Sequence, residues 1–247
     1  MNKFTTSLML CTSLFASTHI YMYSPVIDYR EYKNGAVLDK DSSDFGDMAG
    51  VGIYYISRTR PLKFTLRFEF AAGESVYEGS TWDGKPLKTT QNGVHLFNFE
   101  SALGMNYFFL TFGYREWKRG KSNYIGDYDE KYYWTYLGIR YDYIFYFKNA
   151  AFTPQISYQT AISPKMKVYL GNKPELKLGD TEGAYINLPL YFKYKEFVWF
   201  VFYKYQYWHI SKSDFAILQT NNSRTMIYEP ESITKNHFFG LGIVVNF

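Results

Sequence analysis

Cysteine is almost missing from this chain. The only one in 247 residues is Cys11, inside an apolar run near the N-terminus, so the rest can form no disulfide and offers no thiol nucleophile. Long hydrophobic runs are missing too. No segment places about 18 apolar residues in a row, which excludes a membrane-spanning helix. No phosphate loop, dinucleotide fingerprint, metal-ligand spacing or nucleophile elbow occurs, so no cofactor and no metal is implied. Charge of either sign is in little excess: 27 Lys and Arg stand against 23 Asp and Glu.

Aromatic residues, in contrast, are abundant. The 26 Tyr, 22 Phe and 5 Trp make up 21% of the chain. Such residues favour strands, and membrane barrels also collect them at both water interfaces as girdles. A sheet with one face in lipid and the other in a polar lumen averages to an ordinary hydropathy, so a charged content of 20% is compatible with it.

The N-terminus sets the compartment. Met1-Asn2-Lys3 gives a short positive start, and Ser7 to Ala16 an apolar core of the length of a secretory signal, too short to span a bilayer as a helix. Cleavage is expected after Ala16 or within the next few residues. The expected layout is a signal peptide over 1–18 and a single domain over 19–247. Export also excludes nucleic acid as a partner.

Periodicity then separates the exported classes. In the last segment Phe239, Leu241, Ile243, Val245 and Phe247 share one face, while Gly240, Gly242 and Asn246 lie on the other. The same alternation runs through Leu62–Phe70, Phe108–Tyr114, Tyr133–Tyr143, Ile186–Tyr194 and Trp199–Tyr207, the pattern of two-faced strands. Strands are predicted near 24–33, 47–57, 62–78, 91–102, 105–118, 130–145, 151–168, 183–195, 197–211 and 236–247. Long polar connections alternate with short ones near 58–61, Gly104, 147–149 and Glu196. This is the asymmetry of outer loops and periplasmic turns. Pro154, Pro164 and Pro189 fall within predicted strands, where they remove ladder donors.

The expected fold is all-β, an antiparallel transmembrane β-barrel of ten strands, with eight the alternative. A chain closing on Phe247 resembles the C-terminal assembly signal of bacterial outer-membrane barrels, which implies an outer-membrane location and recognition by the barrel-assembly machinery. Ten is also the strand count of the omptin proteases, which carry an Asp pair and an Asp–His pair at the mouth. Here Thr81-Trp82-Asp83-Gly84 holds one acid, and Gly179-Asp180-Thr181-Glu182 holds acids without a histidine. The resemblance extends to architecture and not to the catalytic residues.

A narrow barrel fills its interior with side chains. The register points Arg67, Glu69, Glu100, Arg115, Arg140, Asp142 and Lys204 inward as a lumen charge network, together with Asp28, Arg30, Lys63 and Lys193. The only candidates for rim chemistry are His95, His209 (beside Ser211) and Asp83, with His95, His209 and His237 all facing outward. Basic residues collect toward the outer loops and suit lipopolysaccharide phosphates; outer-membrane lipid and an unidentified small-molecule or surface ligand complete the expected partners. The resulting expectation is a non-enzymatic, plugged barrel with a structural or surface-binding role. The alternatives are a rim hydrolase or acyltransferase and a narrow solute channel.

Overall fold

The computed structural model describes residues 16–57, 61–81, 83–221 and 223–246. Its strands are β1 (Ala16–Lys33), β2 (Ala36–Ser42), β3 (Met48–Ser57), β4 (Leu62–Ser80), β5 (Pro86–Met105), β6 (Phe108–Lys118), β7 (Glu130–Asp142) and β8 (Phe145–Tyr146). They continue as β9 (Ala150–Phe152), β10 (Gln155–Val168), β11 (Glu175–Lys177), β12 (Thr181–Tyr194), β13 (Phe197–Ile210), β14 (Ala216–Gln219), β15 (Arg224–Ile227) and β16 (Glu231–Asn246). Ten of these form the wall. The ring runs β1-β3-β4-β5-β6-β7-β10-β12-β13-β16 with every pairing antiparallel, and β16 returns to β1 from Ser17↔Asn246 to Tyr32↔Glu231. Closure leaves the wall no unpaired edge.

Side chains alternate across this wall with the period of two that a strand imposes. Ile20, Met22, Ile53, Phe68, Leu110, Ile139, Ile156, Val201 and Leu241 stand exposed on the outer face. In water a belt of this size would drive association; in lipid it is the expected surface. Charge bounds it on the loop side, with Arg30 on β1, Lys118 on β6 and Lys235 on β16. No described helix is long and apolar enough to cross a membrane; the crossing is made by strands.

Beyond the belt, β2 and β11 extend the wall into the outer loops by pairing with β1 and β4 and with β10. The β14–β15 hairpin rises from residues 211–230 as a separate two-stranded sheet. At the other end Asn106-Tyr107 turns β5 into β6, with Asn106 at φ 56°, so this turn lies two residues beyond Gly104. The connection predicted at 147–149 is longer than expected and carries β8 and β9. Residues 1–15, 58–60, Trp82, Asn222 and Phe247 lie outside the described residues, and with them most of the connection expected near 58–61, most of the expected signal peptide and the terminal phenylalanine of the assembly signal.

The three prolines are absorbed at breaks in pairing. Pro164 follows Ser163, which takes φ 50° at the β7–β10 register shift. Pro154 links β9 to β10. Pro189 sits where β12 changes partner from β10 to β9, and its carbonyl accepts from Thr153 N at 3.0 Å. The missing N–H thus costs one ladder bond at the end of the short β9–β12 pairing, where the strand is already changing partner.

The first strand corrects the sequence register. It begins at Ala16, not residue 24, and its inward positions are odd: His19, Tyr21, Tyr23, Ile27, Tyr29 and Glu31 are buried. Asp28 and Arg30 consequently face outward and pair with each other at 2.9 Å, whereas Lys63 and Lys193 keep the inward parity of their strands at the turn end, Lys63 half-buried and Lys193 exposed. Charges on both faces of β1 had hidden its alternation. Inside, rings lie over inward glycines of neighbouring strands. A Cβ at Gly52 would strike the Tyr21 ring, and one at Gly183 the Trp208 ring.

Candidate functional site

The middle of the lumen is filled by ion pairs. Lys204 Nζ, on β13, donates to both Glu69 oxygens on β4 at 2.7 and 2.6 Å, and Tyr21 donates to Glu69 Oε1 at 3.0 Å. Arg140 on β7 reaches Glu100 at 2.7 Å and Asp142 at 2.9 Å, and Arg67 donates to Gln155 at 2.8 Å. Arg115 donates to Gln206 at 2.7 Å and Asn98 at 3.2 Å, with Trp134 and Trp208 about it. All seven residues of the expected lumen network lie inside; Lys204 with Glu69, and Arg140 with Glu100 and Asp142, offset one another's desolvation, while Arg115 is held by neutral amides. Below them a void of about 20 Å³, lined in part by His19, Tyr54 and Tyr191, has room for little more than a water molecule.

Above the network, past the apolar belt, the barrel opens into a cavity of about 510 Å³. Its floor is a carboxylate cluster. Glu31 extends the inward face of β1, Glu130 begins β7, Asp41 comes from β2, and Glu229 descends from the loop before β16; all four are buried. Arg119, just past β6, binds Glu31 at 3.0 Å, Glu130 at 2.9 Å and also Asp41. Among the described residues Glu229 has no cation paired with it. Its Oε1 accepts from Tyr29 at 2.6 Å and Tyr132 at 2.8 Å, and Ser213 Oγ accepts from its backbone N–H at 2.7 Å.

Four buried acids around one guanidinium cannot all be ionised cheaply. Burial pushes Glu31 up to about 7 against the pull of Arg119, and it raises Asp41 to about 6. Burial also raises Glu130 and holds Glu229 well above the usual carboxylate range, with the Glu31 and Glu130 charges adding to the second shift. The cluster therefore retains protons near neutrality.

Sequence reasoning missed this cluster. Glu31 follows Ile27 and Tyr29 at spacing two, and Glu130 precedes Tyr132, Trp134 and Tyr136 in the same way, so a corrected register would have found both. Asp41 and Glu229 carry no such signal. The rim candidates lie elsewhere. His95 pairs with Glu116 at 3.3 Å and His209 with Glu231 at 2.9 Å, both on the outer face. His237 meets Tyr203 at 2.9 Å. Asp83 is exposed and bound to Lys85 at 2.7 Å. Ser211 serves through its backbone, donating to the Asp180 carbonyl at 2.9 Å. The structure does not bring these groups together.

A closed antiparallel ring of ten strands, apolar outside and charged within, has the fold of the bacterial outer-membrane β-barrels. Among solved structures, the crystal structure of outer membrane protease OmpT from Escherichia coli matches with a TM-score of 0.58 at 11% identity, over 96% of this chain and 98% of that one. Neisserial surface protein A gives a TM-score of 0.36 at 11% identity, over 92% and 97%. Ail of Yersinia pestis gives 0.37 at 10%, over 94% and 99%. The first match shows a shared fold, ten strands included; the other two are too distant to carry an argument. No family model and no curated protein matches the chain.

Proposed function

We propose that this protein is a non-conducting, non-enzymatic outer-membrane barrel that acts by binding, at its mouth and along its outer wall. The observation that carries this reading is the separation of the lumen. The lower void and the outer cavity share no lining residue, and Arg115, Trp134, Tyr136 and Trp208, which line neither, are buried in the lumen.

On the outer wall, Lys118, Lys131 and Lys167 are direct register partners on β6, β7 and β10, at the loop-side border of the apolar belt. Lys118 also meets Asp129 at 3.0 Å and Lys131 meets Glu116 at 3.4 Å, both half-buried pairs. Lysines at this level fit the phosphates of lipopolysaccharide. Export through the N-terminal signal, insertion through the C-terminal strand and anchoring by aromatic girdles belong to the same reading.

Planar-bilayer recording of the refolded barrel tests it. The expected result is silence from the wild type, with Arg115→Ala, Arg140→Ala recorded alongside. Steady wild-type current that changes in that variant would replace the plugged barrel with a channel.

A further inference from the structure

We propose that the turn-side rim at β9 and β12 is a docking surface for the anionic phospholipid headgroups of the inner leaflet. The inference goes beyond binding at the mouth and the loop-side wall, and rests only on the barrel's placement in the membrane with its short turns in the periplasm. Two tight hairpins end side by side here. Phe147 N donates to the Ala150 carbonyl at 2.8 Å and closes a tip at Lys148-Asn149. Tyr194 pairs with Phe197 and leaves Lys195-Glu196 as the other tip, with Lys195 at φ 54°. The hairpins touch: Phe192 pairs with Ala150, and Lys193 N donates to the Asn149 carbonyl at 3.3 Å. Lys148, Lys193 and Lys195 are thereby gathered on one stretch of rim.

Charge and surroundings together select the partner. These lysines are exposed, and among the described residues none of them has an ion pair or a side-chain hydrogen bond. Glu196 is the only acid on either tip. Lys63, across the ring, is different: its ammonium donates to the Asn106 carbonyl at 2.7 Å. The lysines also adjoin an apolar surface that continues the lipid-facing belt. Phe145, Tyr194, Phe197 and Trp199 stand exposed on the outward face of the same hairpins, in line with Ile186 and Val201, and Phe147 is exposed beside Lys148. Lys195 Nζ lies 5.6 Å from the centre of the Tyr194 ring, which holds this ammonium on the lipid side. Aromatic rings at a barrel's border sit at headgroup level, and the ammonium groups beside them reach the phosphates. A zwitterionic headgroup brings its own cation there, whereas an anionic one supplies the counter-charge that the rim lacks.

The test is fluorescence quenching of Trp199, which is exposed at this rim while Trp117, Trp134 and Trp208 are buried in the lumen. The refolded full chain carrying Trp82→Phe is placed in vesicles of dioleoylphosphatidylcholine with dibrominated phosphatidylglycerol, and of dioleoylphosphatidylglycerol with dibrominated phosphatidylcholine. The pair of curves gives the preference between the lipids beside Trp199. A lysine close to an anionic surface favours it about fivefold, so phosphatidylglycerol should be preferred about fivefold or more at low salt and less at high salt. Lys148→Gln, Lys193→Gln, Lys195→Gln should abolish the preference while heat-modifiable gel migration stays native, and arginine at the same positions should keep it. Lys118→Gln, Lys131→Gln, Lys167→Gln, at the opposite border of the belt, should leave it unchanged. Equal quenching by both lipids would reduce the patch to an ordinary aromatic girdle. Quenching by neither would show that a second copy or another protein covers Trp199. A preference untouched by the rim substitutions, or lost with the loop-side row, would place the selectivity elsewhere. Each of these overturns the proposal. Steady bilayer current with the preference intact refutes only the plugged barrel, whereas a silent bilayer without the preference refutes only this site.

Discussion

Removing the Lys204 ammonium should destabilise the barrel severely, and removing its partner's charge as well should restore most of the loss. Lys204 and Glu69 are both buried and lie 2.6 Å apart at their closest atoms. In Lys204→Met the Glu69 carboxylate loses two charge-assisted hydrogen bonds and keeps the one from Tyr21. Breaking a buried pair from one side costs about 3–5 kcal/mol, because the remaining charge is stranded away from water. With a urea slope of about 2.5 kcal/mol per molar, the unfolding midpoint should fall by roughly 1.5 M. Replacing both partners, in Glu69→Gln, Lys204→Met, removes the stranded charge, and the midpoint should recover to within about 0.5 M of wild type, since apolar or neutral substitutes for such pairs are often near neutral. The assay is reversible urea unfolding in lipid vesicles, followed by tryptophan fluorescence and by heat-modifiable migration. A single-variant loss below about 1 kcal/mol would show that water reaches the pair and that the lumen is not sealed. A double variant as unstable as the single would show that the ion pair itself holds the strands in place.

Three shorter predictions follow from other parts of the molecule. The mouth should loosen as pH rises: the closed cluster binds protons more tightly than an opened one, so its extra stability is full below about 4.5 and is lost as pH rises through about 7, the value to which burial pushes Glu31. Hydrogen exchange at residues 211–230, compared with the Asn106 turn, should increase across that interval, and a flat profile from pH 5 to 8 would refute it. Replacing Lys118, Lys131 and Lys167 by glutamine should lower retention of lipopolysaccharide on the purified barrel several-fold at low salt, leaving the urea midpoint within about 0.5 kcal/mol. Retention equal to wild type would rule out the row. Finally, Gly183→Ala should push Trp208 off its neighbour and cost about 1–3 kcal/mol, visible as a changed near-ultraviolet circular dichroism spectrum; an unchanged spectrum would mean that the ring has room to yield.

Much of the wall was readable because membrane strands must alternate and must close. Phe64, Leu66, Phe68 and Phe70 face out and Thr65, Arg67 and Glu69 face in for the same reason that the wall has one apolar side, so the lumen charges on β4 and β7 were accessible to a count of two. Where both faces carry charge, as along Asp28–Lys33 of β1, the count loses its reference and the register slipped by one residue. The mouth was less legible. Glu31 and Glu130 belong to strands, but Asp41 and Glu229 reach the cluster through loop geometry, and a loop acid that will be buried looks in sequence like one that is solvated. The prolines were misleading for a related reason: a ladder can skip a donor where a bulge or a change of partner falls, and Pro189 sits opposite such a gap.

That gap has a mechanical side. β4 and β5 are zipped by nineteen residue pairs and the seam joining first and last strands by sixteen, but β10 and β12 meet over six, from Gln155↔Asn187 to Thr160↔Glu182, with three more supplied through β9. Resistance to being pulled apart sideways grows with the number of bonds that must break together. A ring with one short weld fails at the weld, so heat or lateral tension should part this wall between β10 and β12, away from the place where the chain's two ends meet. The lumen would then be exposed first beside Gln155 and Asn187, on the side where the bilayer presses against Ile156 and Ile186.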